Sequence, residues 1–267
     1  MFHWINPSNY SFNCILLMDR YIIRQICTTQ WYDKKYLEQL SIALFYNPSV
    51  AWYCKEKAPE IANNVERLIA TAPKDCTKEQ IRMAELYILE WHDWAVVLVY
   101  PDVMNQNCPY IYNWDKARLL ELVDFTDKIV LDVGAGTGRL AFAAAERARH
   151  VYASEPVDRL REYMREKIHK EKLSNVTVLD GMCNWLPFED NTFDIVMSGH
   201  VIGDDLDNEL AELERITKSG GWILDCAGEN DTFAIPDQDM ISRGFDCIHY
   251  VGHAGGDNYQ YRKQIMI

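Results

Sequence analysis

The chain has 267 residues, 48% of them hydrophobic, and carries 27 lysines and arginines against 40 aspartates and glutamates, a formal net charge of -13. That length carries one full α/β core plus an appendage, or two modest domains. With no Lys/Arg-rich block, the acidic balance argues against nucleic acid and anionic lipid as partners, because affinity for phosphate rests on neutralising its charge.

Eight cysteines (Cys14, Cys27, Cys54, Cys76, Cys108, Cys183, Cys226, Cys247) are scattered without a C-x-x-C pair. Such spacing suits reduced thiols in the cytoplasm rather than a disulfide framework or a zinc site. "CILLM" (14 to 18) is short and follows no Lys or Arg, so it does not read as a secretory signal. "WAVVLVY" (94 to 100) is far shorter than the ~20 residues of a membrane span. A cytoplasmic protein without a membrane segment is expected.

Taken in chain order, residues 1 to 17 fit no clear element, and Met18 is a candidate second initiator. Helical patterns follow at 31 to 46, at 59 to 72 with Pro59 opening, and at 77 to 100. In the last, Thr77 and Gln80 form a capping-box pair, and Ile81, Ala84, Ile88, Trp91 and Ala95 repeat at helical spacing until Pro101. The aromatic residues of this half and its border (Trp31, Tyr32, Tyr36, Trp52, Tyr53, Trp91, Trp94, Tyr110, Tyr112, Trp114) are expected mostly in the core. A minority is left to close over a ligand.

The polar, proline-bearing stretch 101 to 113 reads as a connection, giving an N-terminal helical lobe over 1–112 and a second domain over 113–267. Beyond it, strand patterns at 128 to 133, 150 to 155, 175 to 180, 193 to 199 and 221 to 227 are separated by helical or loop stretches. The helices fall at 138 to 148, 157 to 172 and 204 to 218. The second presents Val157, Leu160, Met164 and Ile168, and the third Leu206, Leu210, Leu213 and Ile216, as apolar stripes. Asp204, Asp205 and Asp207 at the start of the third and Lys218 at its end match the helix dipole. Two final strands, 245 to 251 and 259 to 267, are joined only by "GHAGGDN", too short for a crossover helix, so the last must run antiparallel. The expected fold is α/β: a doubly wound, seven-stranded, mostly parallel sheet with an antiparallel last strand, plus the N-terminal helical cap.

"IVLDVGAGTGRLAFAAA" (129 to 145) interrupts an apolar run with Gly134, Gly136 and Gly138. In such a fold these positions lie at the first strand-to-helix turn, where small residues let a ligand approach the backbone at the carboxyl ends of the strands. The G-x-G-x-G spacing departs from the dinucleotide fingerprint G-x-G-x-x-G. Glu155 ends the second strand, where an acidic side chain can accept hydrogen bonds from two vicinal ribose hydroxyls.

"VLDVGAGTGRL" (130 to 140), "YASEP" (152 to 156), "VLDGMCNWLPFEDNTFDIVMSG" (178 to 199) and "SGGWILDC" (219 to 226) together resemble the class I S-adenosylmethionine-dependent methyltransferases, a Rossmann-like family. The resemblance covers 113 to 267 and leaves the helical residues outside it. It implies S-adenosylmethionine as cofactor, with Asp132, Gly134, Ala135 and Gly136 lining its methionine part and Glu155 its ribose. Pro156, Asp180, Gly181 and Met182 would lie about the adenine, and Ser198 to His200 below the sulfonium. Asp132 and Asp180 also admit a simpler role as turn residues, and Trp185 is expected to pack rather than to stack on a base.

Methyl transfer from a sulfonium is an in-line displacement that mainly needs positioning and exclusion of water, with a base where the nucleophile carries a proton. His200 is the candidate base, against the plainer reading of a structural or ligand-contacting histidine. His249 and His253 flank the last turn but lie at a strand end, and no metal is expected there. No Asn/Asp-Pro-Pro-Tyr/Phe follows the fourth strand, where His200 and Val201 stand, which argues against the enzymes that methylate amino groups of nucleic acids. Nor do the cysteines fall as in arsenite methyltransferases. The expected activity is methyl transfer to a small-molecule acceptor. The alternatives are a methyltransferase acting on protein or RNA, and a nicotinamide-dependent oxidoreductase or silent nucleotide-binding module. Oligomeric state is open.

Overall fold

The computed structural model describes residues 4–203, 205–229, 235–253 and 255–266. The chain forms two compact units, Met1–Val103 and Met104–Ile267. The division falls before the 112/113 border expected from sequence. Residues 101 to 113 are helical rather than a linker, and the side chains from Met104 onward pack on the second unit's own elements.

The first unit is all helix. Two 3-10 segments, Pro7–Asn9 and Phe12–Leu17, occupy the stretch expected to lack structure, and Phe12, Ile15 and Met18 are buried. Helices α1 (Arg20–Cys27), α2 (Lys34–Tyr46), α3 (Pro48–Lys57), α4 (Ala62–Thr71), α5 (Lys78–Trp91) and α6 (Asp93–Leu98) follow, and α7 (Pro101–Asn107) leads into the second unit. Helices α1 and α3 were not legible as periodic runs, and Pro59 opens a 3-10 turn before α4 rather than α4 itself.

The pattern expected as one helix over 77 to 100 breaks at His92, whose φ of -119° and ψ of 36° leave the helical region. A buried polar contact occupies the break. Tyr36 Oη donates to the Ile26 carbonyl at 2.9 Å and lies 2.7 Å from His92 Nε2. The phenol has one proton, so His92 donates through Nε2 and its Nδ1 is bare, buried and without a partner. Burial accordingly pushes the His92 pKa down to about 4. The break also turns Trp91 outward. Trp31, Trp52, Trp91 and Tyr112 are exposed, and of the aromatic residues expected in the core only Tyr36 and Tyr110 are fully buried.

The second unit holds α8 (Pro109–Tyr112), α9 (Ala117–Leu120), β1 (Ile129–Val133), α10 (Arg139–Ala144), β2 (His150–Ser154), α11 (Asp158–Glu171), β3 (Val176–Leu179), β4 (Phe193–Ser198), α12 (Leu206–Ile216), β5 (Thr217–Asp225), α13 (Gln238–Ser242), β6 (Asp246–Val251) and β7 (Asp257–Gln264). The seven strands form one sheet in the order β3-β2-β1-β4-β5-β7-β6. The pairs from β3 to β5 are parallel, and β7 is antiparallel to both neighbours, as the short last turn demands. Of the two residues expected to begin and end elements here, Asp204 and Ile267 lie outside the described residues.

Alternation along the strands sends Val130, Val151, Ala153, Ile195 and Met197 to one face, against Leu140, Ala141, Ala144 and Met164. Leu131, Val133, Val196 and Ile223 go to the other, against Leu210, Leu213 and Ile216. A sheet buried on both faces needs apolar residues at successive positions, which is why these strands read as unbroken hydrophobic runs. β5 begins directly after α12, so Lys218 belongs to the strand and pairs with Asp194 at 2.9 Å instead of ending the helix. Among the described residues no helix is long and apolar enough to cross a membrane.

The N-cap of α5 offers a local test. Thr77 Oγ1 accepts from Gln80 N at 3.2 Å while the Gln80 side chain accepts from Thr77 N at 2.8 Å. Thr77→Ala should cost about 1 kcal/mol of stability in the helical unit, read as a fall in the denaturation midpoint with unchanged slope.

Candidate functional site

Each parallel strand from β1 to β5 ends at the same edge of the sheet, and β1 and β4, adjacent although not consecutive in order, mark the point where the winding reverses. The chain leaving β1 must turn within a few residues to start α10. It does so with Gly134, Gly136 and Gly138 at φ of 63°, 58° and 86°, left-handed values that cost a side-chain-bearing residue energy. A Cβ at Gly134 would also run into Val201, so both conformation and space require glycine there. Ala135 N donates to the Ser154 carbonyl at 3.0 Å, which ties the turn to the end of β2.

Glu155, the first residue past β2, is only 5% exposed. Its Oε2 accepts from Gly136 N and its Oε1 from Val157 N, both at 2.9 Å. Arg161 Nη1 donates to the Glu155 carbonyl at 2.6 Å and reaches Asp180 Oδ1 at 3.4 Å, linking the exposed Asp180 to this corner. Pro156 is partly buried beside it. Gly181 has no room for a Cβ against Ser154 Oγ, and Met182 bridges to Trp185. Trp185 is 82% exposed, which overturns its expected packing role: the turn carrying it projects outward.

Two buried polar atoms at the strand ends lack partners, Asp132 Oδ1 and Ser154 Oγ. Asp132 Oδ2 accepts from Ala141 N at 2.8 Å, so the carboxyl steadies α10 with one oxygen and leaves the other unused. Burial raises its pKa to about 7 against the lowering pull of Arg139 and the Ala141 amide. Ser198, at the end of β4, donates to Asp225 Oδ1 at 3.1 Å, and burial likewise lifts Asp225 to about 6.

His200 follows at φ 63° with its ring against Tyr110, centroids 4.3 Å apart. The protein around the ring and then the Arg139 charge push its pKa down, while the Ala227 carbonyl pulls the other way. The residue is exposed. His249 and His253 are each taken up by a carboxylate: His249 Nε2 lies 2.7 Å from Asp257, and His253 Nδ1 2.9 Å from Glu229.

The structure thus gathers Asp132, Gly134, Ala135, Gly136, Glu155, Ser198 and His200 around the ends of β1, β2 and β4, with Asp180 connected through Arg161. Sequence reasoning missed Arg139 and Ser154, and named Tyr110 only as one of ten aromatic residues of which a minority could close over a ligand. Arg139 had a signal, a lone charge opening the apolar helix "RLAFAAA".

Residues 130–221 match a family model described as a methyltransferase domain. An uncharacterized methyltransferase of Schizosaccharomyces pombe is 38% identical over 155 residues, which is 54% of this chain and 49% of that protein. A demethylmenaquinone methyltransferase of Thermobifida fusca is 32% identical over 115 residues, 42% of this chain and 49% of that one. The chain spans about half the length of these curated relatives. A solved S-adenosylmethionine-dependent methyltransferase of Aquifex aeolicus superposes with a TM-score of 0.47 at 20% identity, covering 61% of this chain and 95% of that one.

The buried Asp132 carboxyl makes a pH prediction. An aspartyl group titrates near 3.8 when unfolded, so between there and about 7 the folded protein binds the extra proton and its stability falls as pH rises. Asp132→Asn keeps an acceptor for Ala141 N and removes this loss. Relative to wild type, the ligand-free variant should gain more in Tm above about pH 7 than below about pH 4.

Proposed function

We propose that this chain, a member of the class I S-adenosylmethionine-dependent methyltransferases, transfers a methyl group from that cofactor to a small, partly apolar acceptor. The observation that carries the reading is the Glu155 staple beside the glycine turn, with two orphaned buried acceptors or donors at the adjacent strand ends. These residues fit the cofactor's polar groups. Asp132 Oδ1 needs a donor such as an α-ammonium, and the acceptor-only carboxylate of Glu155 suits ribose hydroxyls. Asp132, Gly134, Ala135 and Gly136 would hold the methionine part, Glu155 the ribose, and Pro156, Asp180, Gly181 and Met182 the adenine.

The cofactor supplies an activated methyl group on a sulfonium. What remains for the protein is to orient an acceptor, exclude water and take a proton where the acceptor carries one. Ser198 and His200 stand at the end of β4 for this purpose. At neutral pH the His200 imidazole is the free base, the form able to accept that proton.

Relatives named as demethylmenaquinone methyltransferases favour a planar acceptor with a small number of polar groups. The net charge of -13 makes a nucleic-acid acceptor the poorer choice. The scattered spacing of the eight cysteines suits a reducing, cytoplasmic setting.

Thermal-shift titration separates the readings. S-adenosylmethionine and S-adenosylhomocysteine should raise Tm with concentration and NAD should not. A shift with NAD alone overturns the proposal. Glu155→Gln keeps the side chain's volume but only one accepting oxygen, and should weaken S-adenosylhomocysteine binding by roughly tenfold or more.

The role of His200 is tested separately, by product formation across a panel of planar phenols and quinols. His200→Gln should spare S-adenosylhomocysteine binding and lower turnover by on the order of a hundredfold. Full turnover in that variant removes His200 from the reaction.

A further inference from the structure

Arg139 is a strong charge at this edge that the proposed reaction does not use. Its Nη2 donates to the Cys226 carbonyl at 2.6 Å and to the Ala227 carbonyl at 3.3 Å, both on the chain leaving β5. The guanidinium lies over the Trp114 ring at 5.1 Å and the Tyr110 ring at 5.7 Å. Its Nη1 is buried without a hydrogen-bond partner, and among the described residues no carboxylate comes within ion-pair distance of it. Removing a cation from water without pairing it is costly, so an arrangement of this kind needs a compensating use.

The surrounding backbone is shaped around the group. A Cβ at Gly199 would lie 2.6 Å from Nη2, and one at Gly228 would lie 2.7 Å from Nη1. Glycine therefore stands on both loops the guanidinium touches, one leaving β4 and one leaving β5. Gly199 immediately precedes His200, whose ring packs on the same Tyr110 that lies under the guanidinium. Arg139 thus donates to the Ala227 carbonyl, the group that pulls the His200 pKa upward.

We propose that Arg139 is a positioning residue for His200: by donating to the Ala227 carbonyl and lying over Tyr110, it holds in place the ring against which the imidazole packs. The inference rests on the reading of His200 given above. The groups facing the imidazole are Arg139 from α10, Tyr110 from α8 and the Ala227 carbonyl from the chain after β5. Asp132, Asp225 and Tyr250 act on it only through Arg139, whose charge they face.

Histidine-resolved NMR titration of the full chain tests this without any acceptor, with His200→Gln assigning the His200 resonance. Arg139→Gln removes the charge and shortens the side chain, and Arg139→Lys keeps the charge but loses the planar guanidinium that lies over Tyr110 and Trp114. The His200 midpoint should lie below the ordinary imidazole value in wild type. It should rise in Arg139→Lys, and rise further, by roughly one pH unit, in Arg139→Gln.

A midpoint unmoved in the folded variants, or already ordinary in wild type, overturns the proposal. If Arg139→Gln does not fold, Arg139→Lys decides alone: a rise supports the proposal and an unmoved midpoint refutes it. The measurement is independent of turnover, so a His200→Gln protein that keeps full activity would defeat the base assignment while leaving the Arg139 coupling to stand or fall by its own titration.

Discussion

The second unit's functional edge depends on one carboxylate holding two backbone amides. Glu155 takes the N–H of Gly136 on one oxygen and that of Val157 on the other, so the turn after β1 and the entry to α11 are fixed to a single group. Charge-assisted hydrogen bonds of this kind are the stronger ones, and here both are shielded from water. The left-handed glycines make the approach possible, because a backbone that carried side chains through the turn could not bring Gly136 N to the carboxylate.

From that staple the rest of the edge follows strand by strand. β1 contributes Asp132, β2 ends at Ser154, β4 at Ser198 and β5 at Asp225, each a polar residue closing an apolar strand. Buried carboxyls there are pushed toward protonation, while Arg139 draws them back. The edge is thus a set of opposed charges held in a poorly hydrated place, where small changes in position alter proton affinity strongly. Such coupling is characteristic of sites that handle charge rather than of structural cores.

Much of this unit was legible because a doubly wound sheet writes itself into sequence as apolar runs separated by amphipathic stretches. The strand positions could be read, and the antiparallel last strand followed from a seven-residue turn too short to cross over. The helical unit was read less well. Helix α3 holds Val50, Ala51 and Cys54 inward but exposes Trp52, so hydrophobicity and burial do not coincide along it. The break at His92 was invisible because the apolar repeat continues past it, and only the tertiary partner Tyr36 accounts for where the chain bends. At the site, Glu155 was singled out by its place at the end of a strand, and Asp132 by the family resemblance. Arg139 was overlooked because its partners are carbonyls of a loop far away in sequence, which no local pattern records.

That bend has a consequence for the helical unit in acid. An unfolded histidine takes up a proton near 6.5, whereas the buried ring of His92 resists it until about 4. Between those values the unfolded chain is the better proton acceptor, so acidification drains stability from the helices as the pH falls through this window. Tyr36 cannot relieve the strain, since its only hydrogen is already committed to Ile26 and a newly charged Nδ1–H would find no oxygen waiting. The joint between α5 and α6 is therefore an acid-labile latch, and mildly sour conditions should loosen this half of the molecule at the His92 corner first.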